Sequence, residues 1–292
     1  MTTAELMYQQ LFTLFAQGDG PGGDNHNQFL LIDQSAYPRL PELKSTLELF
    51  EYISFLTLDE PELDGASPLL LSIGDARDER SLNRLLFWLC EQGLHANALQ
   101  WLQSPEDLHK LALRLMLRTQ AITPEKTNVV LRYFDTRILP VLFKVFSAQQ
   151  LRLLLSCTSA WWYADRHGVF QRAPTTAHEP GAATDRHLPF ELTSEQELGL
   201  IAAGDADAVV ALLLDKEITS VTAMTPPQRY NYAAPLIARA NAYGIHELPA
   251  VAAFCSLGFD IAADFFEHSP WAERLEDVRA GRRSFEEVLS DA

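Results

Sequence analysis

Two short apolar runs set the strongest limit on what this chain can fold into. Phe29-Leu30-Leu31-Ile32, closed by Asp33, and the run from Pro68 to Ile73, closed by Gly74, are strand-length and almost free of polar residues. A strand with no polar face needs cover on both sides, which places other elements above and below its sheet. Around these runs apolar residues recur at helical spacing. Met7, Leu11, Leu14 and Phe15 predict one amphipathic helix, and a second pattern runs from Ser81 to Gln92 before Gly93 stops it. His95 to Leu102 reads as another strand. Ser104-Pro105-Glu106-Asp107 predicts a helix start capped by Ser104, with Leu108, Leu111, Ala112 and Leu115 on the inner face. Thr127 to Phe134, rich in β-branched and aromatic residues, reads as the best strand of the chain. Helical pieces over Ile138–Phe146 and Leu151–Leu155 follow, then Trp161-Trp162-Tyr163 and Val169-Phe170. Helices alternating with buried strands predict an α/β domain over residues 1–172, a mixed sheet with flanking helices.

From Ala173 to Pro189 the pattern breaks. Three prolines, a glycine and several Thr and Ala residues carry no apolar periodicity, so residues 173–190 read as a linker or long loop. Beyond it the spacing is helical throughout, predicting an all-α lobe over 191–292. Ser194 with Glu197 fits a capping box, and Asp205 suits the cap of a next helix. Ala233, Leu236, Ile237 and Ala240 keep one apolar face up to Gly244. Leu248, Val251, Ala252 and Cys255 repeat it up to Gly258. Trp271, Leu275 and Val278, then Phe285, Val288 and Leu289, complete the set.

Charge narrows the function. The 292 residues hold 23 Lys and Arg against 39 Asp and Glu, a net charge of −16. Such a surface repels phosphate backbones and anionic membranes, so neither nucleic acid nor membrane insertion is expected. From Glu191 onward there are 17 acids and 7 bases, which makes a basic protein surface the plausible counterpart of that lobe. No apolar run approaches the roughly 20 residues of a spanning helix, and the start of the chain lacks the basic region of a secretion signal. Cys90, Cys157 and Cys255 are embedded in apolar segments and read as reduced core thiols. The expectation is a cytoplasmic protein.

Catalytic motifs are missing. The Gly18–Gly23 stretch has no following lysine and is flanked by Asp19 and Asp24, so it reads as a connector rather than a phosphate loop. The histidines, including His178 and His187 in the linker, lack the spacing of a zinc pair. Neither cofactor nor metal is expected. Asp33, at the end of a buried strand, stands where α/β enzymes place a carboxylate, but the position equally suits bonding to turn amides. Arg132-Tyr133-Phe134-Asp135-Thr136-Arg137 sets two guanidiniums around one carboxylate. Arg132 is expected on the sheet face opposite Leu131 and Tyr133. Asp135 is expected to cap the following helix while pairing with Arg132 or Arg137. A junction-locking ion pair and a peptide-binding rim are both open readings. Trp161 and Trp162 suit either core or a protein-binding surface.

Phe29–Asp33, Pro68–Leu71, the Arg132–Leu139 stretch and Trp161-Trp162 together resemble the bacterial type VI secretion effector adaptor (chaperone) family, over about residues 28–172. Thr136 stands where that family usually carries proline, and Ser67 where it carries glycine. The resemblance implies a non-enzymatic adaptor that binds an effector toxin and helps load it onto the spike protein VgrG or its PAAR tip. Two rival readings stay open: a hydrolase or transferase with a site near Asp33 and Arg132–Arg137, and a toxin-neutralising, immunity-like protein.

Overall fold

The computed structural model describes residues 1–16, 26–58, 65–74, 79–174 and 185–291. The Gly18–Gly23 connector and linker residues 175–184, His178 among them, lie outside the described residues. The chain divides into two compact units, Met1–Leu200 and Ile201–Ala292. The first is α/β and the second is all helical.

Among the described residues the first unit carries nine strands: β1 (Asn27–Ile32), β2 (Tyr52–Ser54), β3 (Leu69–Ser72), β4 (Leu99–Ser104), β5 (Gln120–Ile122), β6 (Asn128–Val130), β7 (Ala160–Ala164), β8 (Phe170–Arg172) and β9 (Phe190–Glu191). Its helices are α1 (Thr3–Ala16), the single turn α2 (Lys44–Leu47), α3 (Glu79–Gly93), α4 (Leu108–Leu117), α5 (Leu139–Val145) and α6 (Ala148–Leu155). Six strands form an antiparallel sheet in the order β2-β3-β1-β4-β7-β8, with Leu30 opposite both Leu71 and Trp101. Alternate side chains feed two cores. Phe29, Leu31, Leu70, Leu102 and Trp161 pack with residues of α4, α5 and α6. Leu30, Ile32, Leu71, Leu99 and Trp101 pack with Met7 and Leu11 of α1 and the inner face of α3. Cover on both faces is why β1 and β3 carry so few polar residues. A second, three-stranded sheet has the order β6-β5-β9, antiparallel between β5 and β6 and parallel between β5 and β9.

Several local expectations shift. Thr127–Phe134 is not one strand: the ladder holds only Asn128–Val130, and the backbone turns away after Leu131. Ser104 ends β4 fully buried, its hydroxyl donating to the Cys157 carbonyl, and the cap of α4 is Asp107, which accepts from Lys110 N. The residues read as linker do not all lie free. Phe190 packs into the first unit's core together with Leu192, from the start of the expected helical lobe, and that unit runs on to Leu200.

The remaining helices are α7 (Ser194–Asp215), α8 (Thr219–Thr222), α9 (Pro226–Ala242), α10 (Leu248–Asp260), α11 (Trp271–Arg279) and α12 (Phe285–Ser290). The capping box of α7 is Thr193 with Gln196, one residue earlier than Ser194 with Glu197. Asp205 caps nothing, because α7 runs through it without a break. The second unit's core gathers the predicted faces of α9 and α10 around Phe254, whose ring lies 4.9 Å from that of Phe265. Gly258 does not end α10. It sits inside that helix, where an added Cβ would come within 2.5 Å of Leu236 Cδ1, so its missing side chain lets α9 and α10 approach. All three cysteines are free and buried, and burial pushes the Cys90 and Cys255 thiols up to about 12. Among the described residues no helix is long and apolar enough to cross a membrane.

Candidate functional site

The residues singled out in sequence meet at the end of β1 and the start of β4. Asp33 leaves β1 with its N–H bonded to Ala98 O at 2.9 Å, and Thr136 donates its N–H to the neighbouring Asn97 O at 2.8 Å. A proline at 136 could not make that second bond. Asn97 itself adopts the left-handed region at φ 55°, a conformation that asparagine tolerates.

Asp33 caps the short turn that follows β1. Its Oδ1 accepts from Ser35 N and Ser35 Oγ, and its Oδ2 accepts from Arg132 Nη2 at 2.8 Å, across 99 residues of sequence. The Arg132 side chain stays 49% exposed and its guanidinium lies 5.3 Å from the centre of the Phe134 ring. Asp135 pairs with Arg137 alone, in a two-pronged contact: Nε to Oδ1 at 2.9 Å and Nη2 to Oδ2 at 2.7 Å, with Arg137 N adding a third bond. Asp135 caps the turn that leads into α5, its Oδ1 accepting from Arg137 N and its carbonyl from Ile138 N and Leu139 N, while Ile138, directly before Leu139, makes no side-chain bond. Of the two partners open to Asp135 it takes Arg137, while Arg132 goes to Asp33. The cause is the tight turn at 131–135, where Tyr133 N bonds Leu131 O and Asp135 N bonds Arg132 O, throwing Arg132 toward β1.

Between these pairs Tyr133 and Phe134 are core. The Gln100 amide nitrogen donates to both of their carbonyls, at 3.1 and 2.8 Å, while its oxygen accepts from Trp161 Nε1 at 2.6 Å. The Tyr133 hydroxyl donates to Leu115 O, its ring packs edge-on to Trp161, and burial holds its pKa well above that of a free phenol. Trp161 is buried. Trp162 faces the opposite core, half-buried, with the Arg172 guanidinium 5.8 Å from its ring centre.

A second polar centre escaped sequence reading. Asp185 accepts from Arg114 Nε at 3.1 Å and Arg118 Nη2 at 2.8 Å, and Glu106 takes Arg114 Nη1 at 3.2 Å. Arg118 is fully buried and also donates to Leu153 O, Arg114 O and Ser156 Oγ. Beside it the Cys157 thiol is pushed up by burial, an effect the Arg118 charge opposes. A signal existed: Arg118 continues the inner stripe Leu111, Leu115 at i+3. Its partner, 67 residues away in an apparent linker, gave none.

The four oxygens of Asp33 and Asp135 are thus engaged by arginine, serine and backbone donors. Ser159 Oγ and His26 Nδ1 meet at 2.9 Å, yet among the described residues no carboxylate bonds His26 to orient it as a catalytic base. No group of three or more His, Cys, Asp or Glu among the described residues could hold a metal ion.

Residues 28–153 match a family described as a domain of unknown function (DUF4123). No curated protein and no solved structure matches the chain. The matched stretch contains Asp33, Arg132, Tyr133, Asp135 and Arg137, and ends before Trp161, Trp162 and Asp185.

Proposed function

We propose that this protein is a non-enzymatic cytoplasmic adaptor that binds a type VI secretion effector and assists its loading onto the VgrG–PAAR spike. The matched domain lies within the stretch whose motifs resemble effector adaptors, and it holds the Arg132–Arg137 segment that carries the resemblance most specifically. The observation that carries the non-enzymatic part is the engagement of Asp33 and Asp135. Each carboxylate is fixed by an arginine and by local donors, so its lone pairs brace a turn instead of facing a substrate. Binding a partner needs no reactive group, only apolar surface removed from water at about 25 cal/mol per Å² and charge that brings the right surfaces together. The excess of acids after Glu191 suits basic stretches of an effector.

Co-expression of the chain with a candidate effector and a VgrG protein from a type VI-positive bacterium, followed by affinity purification, tests the reading. A complex containing the effector, with the effector still toxic once released into a sensitive cell, is the expected result. Recovery of neither protein overturns the adaptor, and a bound effector that has lost its activity replaces it with a neutralising protein.

A further inference from the structure

Among the described residues the two sheets present four edges, and on three of them a side chain takes one outward backbone group. On β2 the outward Ser54 C=O accepts from Thr57 Oγ1 at 2.6 Å. On β8 the outward Phe170 N–H donates to Gln10 Oε1 of α1 at 2.9 Å. On β9 the Glu191 C=O accepts from Gln150 Nε2 at 3.0 Å. The fourth edge, β6, differs. Its ladder to β5 is fixed by Leu131 N to Thr119 O and Thr123 N to Thr127 O, so the odd residues bond inward and Asn128 and Val130 turn their N–H and C=O outward. Among the described residues nothing bonds those four groups. All of 125–130 is exposed, and Val129 and Val130, 37% and 56% exposed, set two β-branched side chains on the bare edge. Unprotected edges of this composition pair with other strands, and folded proteins ordinarily guard them.

We infer that β6 is a docking strand that takes up an extended segment of a partner protein as a fourth strand of the small sheet. A row of outward N–H and C=O groups is complementary to another extended backbone and to little else. Charge states the rest of the preference. In a chain of net charge −16 this strand carries no acid of its own and Lys126 stands at its start, with Glu125 the nearby acid, while Arg132 beyond its end is already paired with Asp33, so the incoming segment is apolar at alternate positions and acidic where it meets Lys126. The edge is also rigid, because Leu131 and Tyr133 anchor it to the core directly downstream. The inference rests on the adaptor reading only in taking the partner to be a protein.

The probe is an end-blocked peptide of alternating valine and threonine with aspartate at both ends, added to the full chain while amide hydrogen exchange is followed residue by residue. The Asn128 and Val130 amides are expected to slow by roughly tenfold or more, and the amides facing out of β2 and β8 to stay as they were. Val130→Pro removes an N–H that β5 does not use, at an edge position where proline is tolerated, and Val130→Lys guards the same edge without touching the backbone. Both variants are expected to keep the wild-type melting temperature and to weaken peptide binding by roughly tenfold. Unchanged exchange at 128 and 130, equal binding by both variants, or protection that grows with protein concentration without peptide (a second copy on the edge) overturns the proposal. Slowed exchange with no effector recovered by co-purification removes the adaptor reading and leaves this surface. An effector complex formed with 128 and 130 unprotected does the reverse.

Discussion

Two sets of arginine–carboxylate pairs hold the first unit, and they differ in where the guanidinium ends. Around Asp185 the arginines are inside: Arg118 is 0% exposed and Arg114 nearly so, and their N–H groups are spent on carboxylates, carbonyls and a serine hydroxyl. At the Asp33 and Asp135 turns the carboxylates are inside and the arginines reach water, Arg132 at 49% exposed and Arg137 at 36%. The chemistry of the bond is the same in both places. What differs is the cost of breaking it, because a charge stranded in the interior cannot be resolvated, whereas one at the rim can.

That contrast can be broken most directly at Arg118. Arg118→Ala leaves a poorly solvated Asp185 with Arg114 alone, and is expected to destabilise the protein by about 3–5 kcal/mol, read from the denaturant midpoint. A loss comparable with that of a surface pair would mean the cluster does not hold residues 185–192 in place. The same variant sharpens the comparison through Cys157, which is buried beside Arg118 with its thiol pKa raised by burial. Its labelling by a thiol reagent is expected to accelerate by roughly tenfold in Arg118→Ala, through local opening, and to stay at the wild-type rate in Arg132→Ala. Equal acceleration in both variants would show that the two sets open as one.

Arg132→Ala itself is expected to cost about 1–2 kcal/mol, below the buried-pair range, since Asp33 keeps its two Ser35 bonds and water replaces the lost guanidinium. A change of 3 kcal/mol or more, about that of a buried pair, would place this pair with the interior set. The smallest effect belongs to Arg137→Ala, about 0.5–1 kcal/mol and reduced further by added salt, because the backbone N–H of residue 137 still serves Asp135. Salt-independence of that difference would argue for a drier site than the 36% exposure describes.

What could be read from sequence follows from how locally each feature is encoded. The helices of 3–16, 79–93, 226–242 and 248–260 announce themselves by the period of their apolar residues, which is the period of burial itself, and the strands at Leu69 and Phe29 by unbroken apolar runs that match burial on both faces. Thr127–Phe134 misleads for a physical reason. Its side chains favour a strand, but Gln100 captures the Tyr133 and Phe134 carbonyls and Leu115 captures the Tyr133 hydroxyl, so the backbone abandons the ladder after Leu131. Asp33, Arg132, Asp135 and Arg137 could be chosen by type and position, and Asp135 with Arg137 is one of the two local pairs expected, whereas Asp33 with Arg132 could not be read because only the sheet brings them together. Asp185 was invisible altogether. A single acid in a proline- and threonine-rich stretch carries no periodicity, and its partners lie on a distant helix.

The side chain of Gln100 has an orientation that cannot be reversed. Its oxygen faces an indole and its nitrogen faces two peptide oxygens, so exchanging that one nitrogen for oxygen, as spontaneous hydrolysis of an amide does, would set a negative atom against both. Exposed amides can age in this way with little harm. Here a lesion of a single atom would unseat the whole 132–137 loop, so the chain's durability depends on an amide that its own folding keeps out of reach of water.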